Sequence, residues 1–341
     1  MNAASLKRTA LAAVRSAGVF ELTARTRWRS SRLLILGYHG VSLADEHEWD
    51  PALFITPATL DARLQALRRS GAAVLPLGEA VERLYAGTLP ARAVALTFDD
   101  GYYDFRRLAW PLLKTYGVPA TVYLTTYYCE DNRPVPGITL SYMLWKARER
   151  PVRITALPGF PGTLALADAG TRANVVKAFA IFADESRLSA DDKDALLRQL
   201  ARELGFDYDR FHAERILHVM RPEDARALAA DGADIQLHTH RHRVPRDATL
   251  FRREIEDNRL RIESFTGRPA THFCFPSGEW HREALSWLPA LNVKSAATCK
   301  PGIASRSSER LLLPRFLDHS RVSQAEFEAW VSGVGHAIRR R

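Results

Sequence analysis

Cysteine is scarce in this chain of 341 residues: there are three, Cys129, Cys274 and Cys299, and no two of them form a C-x-x-C pair. Three thiols cannot close a disulfide framework, so a disulfide-stapled scaffold is excluded and a reducing compartment is the simpler setting. Long apolar runs are missing as well. No stretch approaches the roughly 20 residues needed to span a bilayer, and Arg15 interrupts Leu11-Ala12-Ala13-Val14, so no compact signal-peptide core is present. The expected location is cytoplasmic, extending to the inner face of the cytoplasmic membrane. The body of the chain also lacks an excess of either charge. Of the net +9, the segment Met1 to Arg32 supplies +6, with seven Lys/Arg against Glu21, and Arg339-Arg340-Arg341 supplies the rest. A nucleic-acid binder carries its basic face on a folded module, which excludes nucleic acid as the expected partner.

Within the basic amino-terminal segment, residues 1–32, Leu6, Leu11, Val14 and Phe20 form a weak apolar stripe on a helical period. Such a stripe suits peripheral contact with an anionic membrane; the alternative is a helix docked on the protein's own body.

Beyond it, strands and helices alternate. Leu33 to Tyr38 reads as a strand. Thr56 caps a helix that starts at Pro57 and ends before Gly71, and Glu79 to Tyr85 reads as a helix ended by Gly87. The run Ala93 to Phe98 is apolar throughout, as expected of a strand buried on both faces, and it ends in Asp99-Asp100-Gly101. Two adjacent carboxylates beside an apolar layer persist where a cation or a proton-transfer role compensates them. Far downstream, Ile235-Gln236-Leu237 ends in His238-Thr239-His240-Arg241-His242. Two imidazoles and a carboxylate brought together from separate strand ends make a three-ligand zinc site with an open position.

The segment from about 128 to 221 breaks the alternation. Prolines punctuate its loops and three helical stretches, Leu140–Arg148, Arg172–Ala183 and Ala190–Leu204, fill it, so it reads as an insertion beside the mouth of the sheet. Alternation resumes with strands at Thr271–Phe275, Ser295–Thr298 and Leu311–Phe316, and Ser323 opens a last helix over 323–341. Repeated strand–helix units favour a closed parallel barrel of seven or eight strands over residues 33–322.

The motifs Thr97-Phe98-Asp99-Asp100-Gly101 and His238-Thr239-His240-Arg241-His242, with Tyr38-His39-Gly40-Val41 before them and Phe273-Cys274-Phe275-Pro276-Ser277-Gly278 after, resemble the NodB-type polysaccharide deacetylases, carbohydrate esterase family 4. The resemblance runs from about Leu34 to Phe316 and implies a distorted (β/α) barrel. It implies a hydrolase that removes N-acetyl groups from a sugar in a polysaccharide, oligosaccharide or lipid-linked glycan. By the same resemblance Asp100, His238 and His242 hold one divalent ion, expected to be Zn2+, and Asp99 takes a proton from water. His240, offset by two, competes as a ligand. The implied oxyanion donor lies in Pro276-Ser277-Gly278, with His39 placed among the substrate-contacting groups.

Two departures stand out. Better-known members carry an arginine shortly before Pro-x-Gly, where this chain has Cys274-Phe275, and Arg315 is the candidate replacement. The late Leu-x-His segment that carries the general acid is not distinct, and His319 is the nearest candidate, with His39 and His272 behind it. Tyr102, Tyr103, Tyr127, Tyr128 and Trp280 are aromatic candidates for stacking on sugar rings. Competing readings are a barrel that binds glycan without catalysis, and a deformylase or amidase acting on another C–N bond.

Overall fold

The computed structural model describes residues 11–130, 133–160 and 162–339. Seven parallel strands close into a barrel: β1 (Leu34–Tyr38), β2 (Ala93–Phe98), β3 (Thr121–Leu124), β4 (Asp234–Leu237), β5 (His272–Cys274), β6 (Ser295–Pro301) and β7 (Leu313–Leu317). Their order around the ring is β1-β7-β6-β5-β4-β3-β2, closed by pairing of β1 with β2, and Ala73–Val74 adds an eighth strand outside β2. The count within the ring is therefore seven. The register of β1 on β2 sets Tyr38 beside Phe98, which brings the residues that follow each strand, His39 and Asp99, to the same level.

Strand periodicity decides what enters the barrel. Leu34 and Leu36 of β1 and Val94, Leu96 and Phe98 of β2 pack outward in the main core, under the surrounding helices. Ile35, Ala93, Ala95, Tyr123, Cys274, Ala297 and Leu313 form a second, interior cluster. Asp99 continues the inward series Ala93, Ala95, Thr97, above a packed layer that includes the small side chains of Ala95 and Ala297. Around the ring, helix Pro57–Arg69 is capped by Thr56, which accepts from the Thr59 amide, and buries Leu60, Leu64 and Leu67. After β2 a wide helical turn at Phe105–Ala109 runs into the helix Trp110–Thr115.

The insertion contains the expected helices at Pro136–Lys146, Ala169–Glu185 and Ala190–Glu203, a short helix at Tyr208–Ala213, and an antiparallel strand pair, Pro151–Arg153 with Thr163–Ala165, that the proline-rich sequence had masked as loop. Leu140, Leu144, Phe179, Leu197 and Phe211 give it an apolar cluster of its own.

The amino-terminal stripe is turned inward. Leu11 and Phe20 are buried against Ala329 and Val334 of the carboxyl-terminal helices, with Val14 packed alongside. Arg29 is fully buried and donates to the carbonyls of Val331, Arg32 and Ala93, tying this segment to the base of the barrel. Leu11, Val14 and Phe20 thus dock on the chain's own carboxyl-terminal helices. Leu6, Lys7, Arg8, Arg340 and Arg341 lie outside the described residues. Among the described residues no helix is long and apolar enough to cross a membrane.

Candidate active site

The groups expected to carry chemistry meet at the carboxyl ends of the strands. Asp99 follows β2, and its amide donates to the Tyr38 carbonyl at 2.8 Å. Its carboxylate is almost fully enclosed and is gripped by Arg315 of β7, Nη1 to Oδ1 at 2.7 Å and Nη2 to Oδ2 at 2.6 Å. The guanidinium is held in turn: Nε donates to the Thr298 carbonyl, Nη1 to Thr97 Oγ1 at 3.0 Å, and Nη2 reaches Cys274 Sγ at 3.0 Å. Arg315, the candidate for the arginine absent before Pro-x-Gly, thus reaches Asp99 from the strand that flanks β1 on the side opposite β2, with Cys274 against its guanidinium. Burial pushes the Cys274 thiol well up, so it stays protonated; it contacts Asp99 Oδ2 at 3.7 Å. Burial alone would raise Asp99, but the charge and hydrogen bonds of Arg315 outweigh it and hold the carboxyl below its ordinary value.

Asp100 points elsewhere. Its backbone is left-handed, φ 67°, followed by Gly101 at φ 76°, where a Cβ would lie 2.3 Å from Leu124. This turn separates the two acids. Oδ1 of Asp100 faces His238 Nε2 at 3.2 Å and His242 Nε2 at 3.1 Å, and burial, together with the charge of this carboxylate, pushes the nearby Tyr102 hydroxyl well up. Burial opposes its ionisation, yet the two imidazoles hold Asp100 well below the usual carboxylate range.

His238 Nδ1 lies 2.8 Å from the Cys274 carbonyl. A carbonyl only accepts, so Nδ1 carries the proton and a neutral ring presents the Nε2 lone pair. A lone pair facing a carboxylate oxygen is repelled unless the ring protonates or a cation sits between. Two nitrogens and an oxygen converging in this way fit a divalent ion, with the Cys274 carbonyl fixing the tautomer from behind.

His240 is not part of this group. Left-handed Thr239, φ 61°, and His242, φ 53°, turn the loop so that His238 and His242 converge, while His240 Nδ1 bonds to Thr126 Oγ1 at 2.9 Å. Burial and the neighbouring Arg261 and Arg241 lower His240 to about 4. The loop is clamped by two residues the sequence reading overlooked, both on helix Ala248–Thr266. Asn258 accepts from the His238 amide and donates to the Leu124 carbonyl and Thr126 Oγ1. Glu254, fully buried, accepts from the Arg241 amide and from the Arg241 and Arg243 guanidinium groups. They lie four apart on one helix face. Two buried polar residues on the inner side of an amphipathic helix were the available signal.

Pro276-Ser277-Gly278 forms a tight turn after β5, with Ser277 at φ 56°. Gly278, φ 68°, passes so close to Cys299 that a Cβ would lie 2.7 Å from that side chain. The amides of Gly278 and Glu279 are spent on the carbonyls of Phe275 and Pro276. Three left-handed non-glycine residues, Asp100, His242 and Ser277, thus ring one site, and Thr239 adds a fourth on the ligand loop.

The histidine candidates separate. His39 Nε2 stands 3.8 Å from Asp99 Oδ2. His319 follows β7, next to Asp318, whose amide bonds to the Gly37 carbonyl. Its Nδ1 accepts from the Arg321 amide, and its charged surroundings are Arg321, Glu326, His39 and Asp50; no contact with Asp99 or Asp100 is made among the described residues. His272 lies lower in the barrel, bonded to Ser295. Of the aromatic candidates, Tyr102 is only 2% exposed and packs on Phe54, so no sugar can stack on it. Tyr127 and Trp280, 39% and 46% exposed, remain accessible.

A parallel barrel with an acid–arginine pair and an acid–imidazole cluster at its carboxyl mouth defines the class of NodB-type deacetylase barrels. The chain belongs to the polysaccharide deacetylase family, whose sequence model matches residues 86–157 and 172–296. YxkH of Bacillus subtilis (strain 168), a protein whose name places it among the polysaccharide deacetylases, is 32% identical over 97 residues, covering 28% of this chain. The match spans about a third of that relative's length, 33%. Among solved structures, the Streptococcus pyogenes deacetylase PplD in complex with acetate aligns with a TM-score of 0.56 at 20% identity, over 86% of this chain and 95% of PplD. IcaB from Ammonifex degensii aligns at 0.55 and 16% identity, over 88% of this chain and 97% of IcaB. At these identities the likeness is one of fold.

Proposed function

We propose that this chain is a metal-dependent hydrolase that removes N-acetyl groups from a sugar unit of a polysaccharide, oligosaccharide or lipid-linked glycan. The observation that carries the reading is the division of two adjacent acids. Asp100 is turned onto two imidazoles, while Asp99 is held apart by a bidentate arginine. Asp100, His238 and His242 would hold the divalent ion, expected to be Zn2+. When bound, such an ion polarises the amide carbonyl and lowers the pKa of water to about 7.

The chain's own groups do the rest. Asp99 Oδ2 accepts the proton of the attacking water, and Arg315 keeps that carboxylate ionised and aimed. The Ser277 amide, on its strained turn, is the donor we assign to the developing oxyanion; such a donor is worth about 3–4 kcal/mol. His39 is the imidazole beside Asp99, so we assign it delivery of the proton to the departing amine. His319, lowered by burial and by Arg321, holds a proton less readily than an ordinary imidazole. PplD has been described with acetate, the acid that such a reaction releases, which accords with an acetamido substrate here.

The test is acetate release from an N-acetylated oligosaccharide by protein stripped of metal and then reloaded with Zn2+. Activity that disappears and returns supports the reading. Full activity in the stripped protein, or release of formate from a formylated substrate but no acetate, refutes it.

A further inference from the structure

A cavity of about 450 Å³ lies between the insertion and the barrel mouth, within the roughly 300–1,000 Å³ range of ligand pockets. Its barrel side is formed by Tyr127 and Tyr128 and its insertion side by Phe179, Asp184, Arg187 and Lys193, from the end of helix Ala169–Glu185 and the start of Ala190–Glu203. Among the described residues, neither Arg187 nor Lys193 has a carboxylate within ion-pair distance. The cavity therefore offers unspent donors, an acceptor in Asp184 and aromatic surface. Hydroxyl-rich rings with apolar faces need that combination, since hydrogen bonds must replace lost water while the ring face stacks.

The cavity is joined to the reacting groups. The Tyr127 amide donates to the His240 carbonyl at 2.8 Å, its ring lies 5.6 Å from the His240 ring, and the Arg241 guanidinium covers it at 5.5 Å. His240 and Arg241 sit between His238 and His242, so one wall of the cavity is built directly on the loop that carries the two imidazoles.

We propose that this cavity is a distal subsite for further sugar units of the same glycan, so that the insertion makes the protein a reader of chain length. Resting on the deacetylase reading above, it predicts that the substrate is an oligomer or polymer rather than a lone sugar.

The experiment compares kcat/KM for acetate release from the monomer and the hexamer of β-1,4-linked N-acetylglucosamine, in the zinc-loaded full chain. Wild type should favour the hexamer. Arg187→Ala/Lys193→Ala and, separately, Tyr128→Ala should each cut the hexamer-to-monomer ratio about tenfold, the loss expected from removing a stacking face or charge-assisted hydrogen bonds. The exposed Arg187 and partly exposed Lys193 keep the first variant free of folding effects. A wild-type ratio near one, or variants that lower both substrates alike, overturns the subsite. Acetate release from neither substrate refutes the deacetylase reading instead. Calorimetric binding of the hexamer then decides the subsite, because a tenfold weaker fit in Arg187→Ala/Lys193→Ala sustains it and equal binding overturns it.

Discussion

Replacing Arg315 by methionine tests the electrostatics of the site most directly. The guanidinium is fully buried, makes two charge-assisted bonds of 2.6 and 2.7 Å to Asp99, and is surrounded by Thr97, Thr298 and Cys274. Arg315→Met leaves the Asp99 carboxylate buried without its partner, a change that costs about 3–5 kcal/mol at neutral pH. The pH dependence carries the argument. In the intact protein Asp99 lies below its ordinary 3.8, so its pair contributes stability above that value, lost as pH falls through the folded pKa. In Arg315→Met burial, the largest influence on Asp99, is opposed only by the weaker pull of His39 and His238, so Asp99 should rise above 3.8 and that variant should lose stability as pH rises. The gap between the two proteins, measured by urea unfolding from pH 3 to pH 8, should widen with pH and narrow towards pH 3. Asp99→Asn/Arg315→Met should recover more than half of the loss, because no buried charge remains unpaired. A gap that is constant across pH, or a double variant no more stable than Arg315→Met, would show that Asp99 is not the ion Arg315 holds.

Further outcomes follow from the same geometry. Asp100→Asn and His238→Ala should lose bound zinc, measured by elemental analysis, together with acetate release, whereas Asp99→Asn should keep zinc and lose turnover. His39→Asn should lower kcat about 10²–10⁴-fold, in the range of a missing proton donor, with a smaller effect from His319→Asn; the reverse order would transfer the role to His319. Asn258→Ala leaves the buried His238 amide unpaired, so a loss of about 1–3 kcal/mol in unfolding free energy and a 10–100-fold weaker zinc affinity by competitive chelation are expected.

The chemistry-bearing strand ends were legible because parity and composition act locally. An apolar run of six cannot place Asp99 inward without placing Ala93, Ala95 and Thr97 there as well. Arg315 was legible only as a candidate, since the contact joins strands 216 positions apart and nothing local distinguishes it from a surface cation. Glu254 and Asn258 escaped notice for the opposite reason: a helix rich in exposed charge hides two polar residues turned inward, and only the loop they receive makes them necessary. The amino-terminal stripe shows a third limit. Amphipathicity fixes that a face must be covered, but Leu11 and Phe20 are covered by a helix more than 300 positions later, and sequence period does not name the cover.

The alanines below Asp99 have a use beyond packing. A bulkier side chain at Ala95 or Ala297 would overfill the interior layer on which the Arg315–Asp99 pair rests, pressing the guanidinium off its acid without altering any group that meets substrate or ion. Silencing from the cellar in this way would yield an inert protein with an intact doorway, suited to capturing an uncleaved glycan for identification.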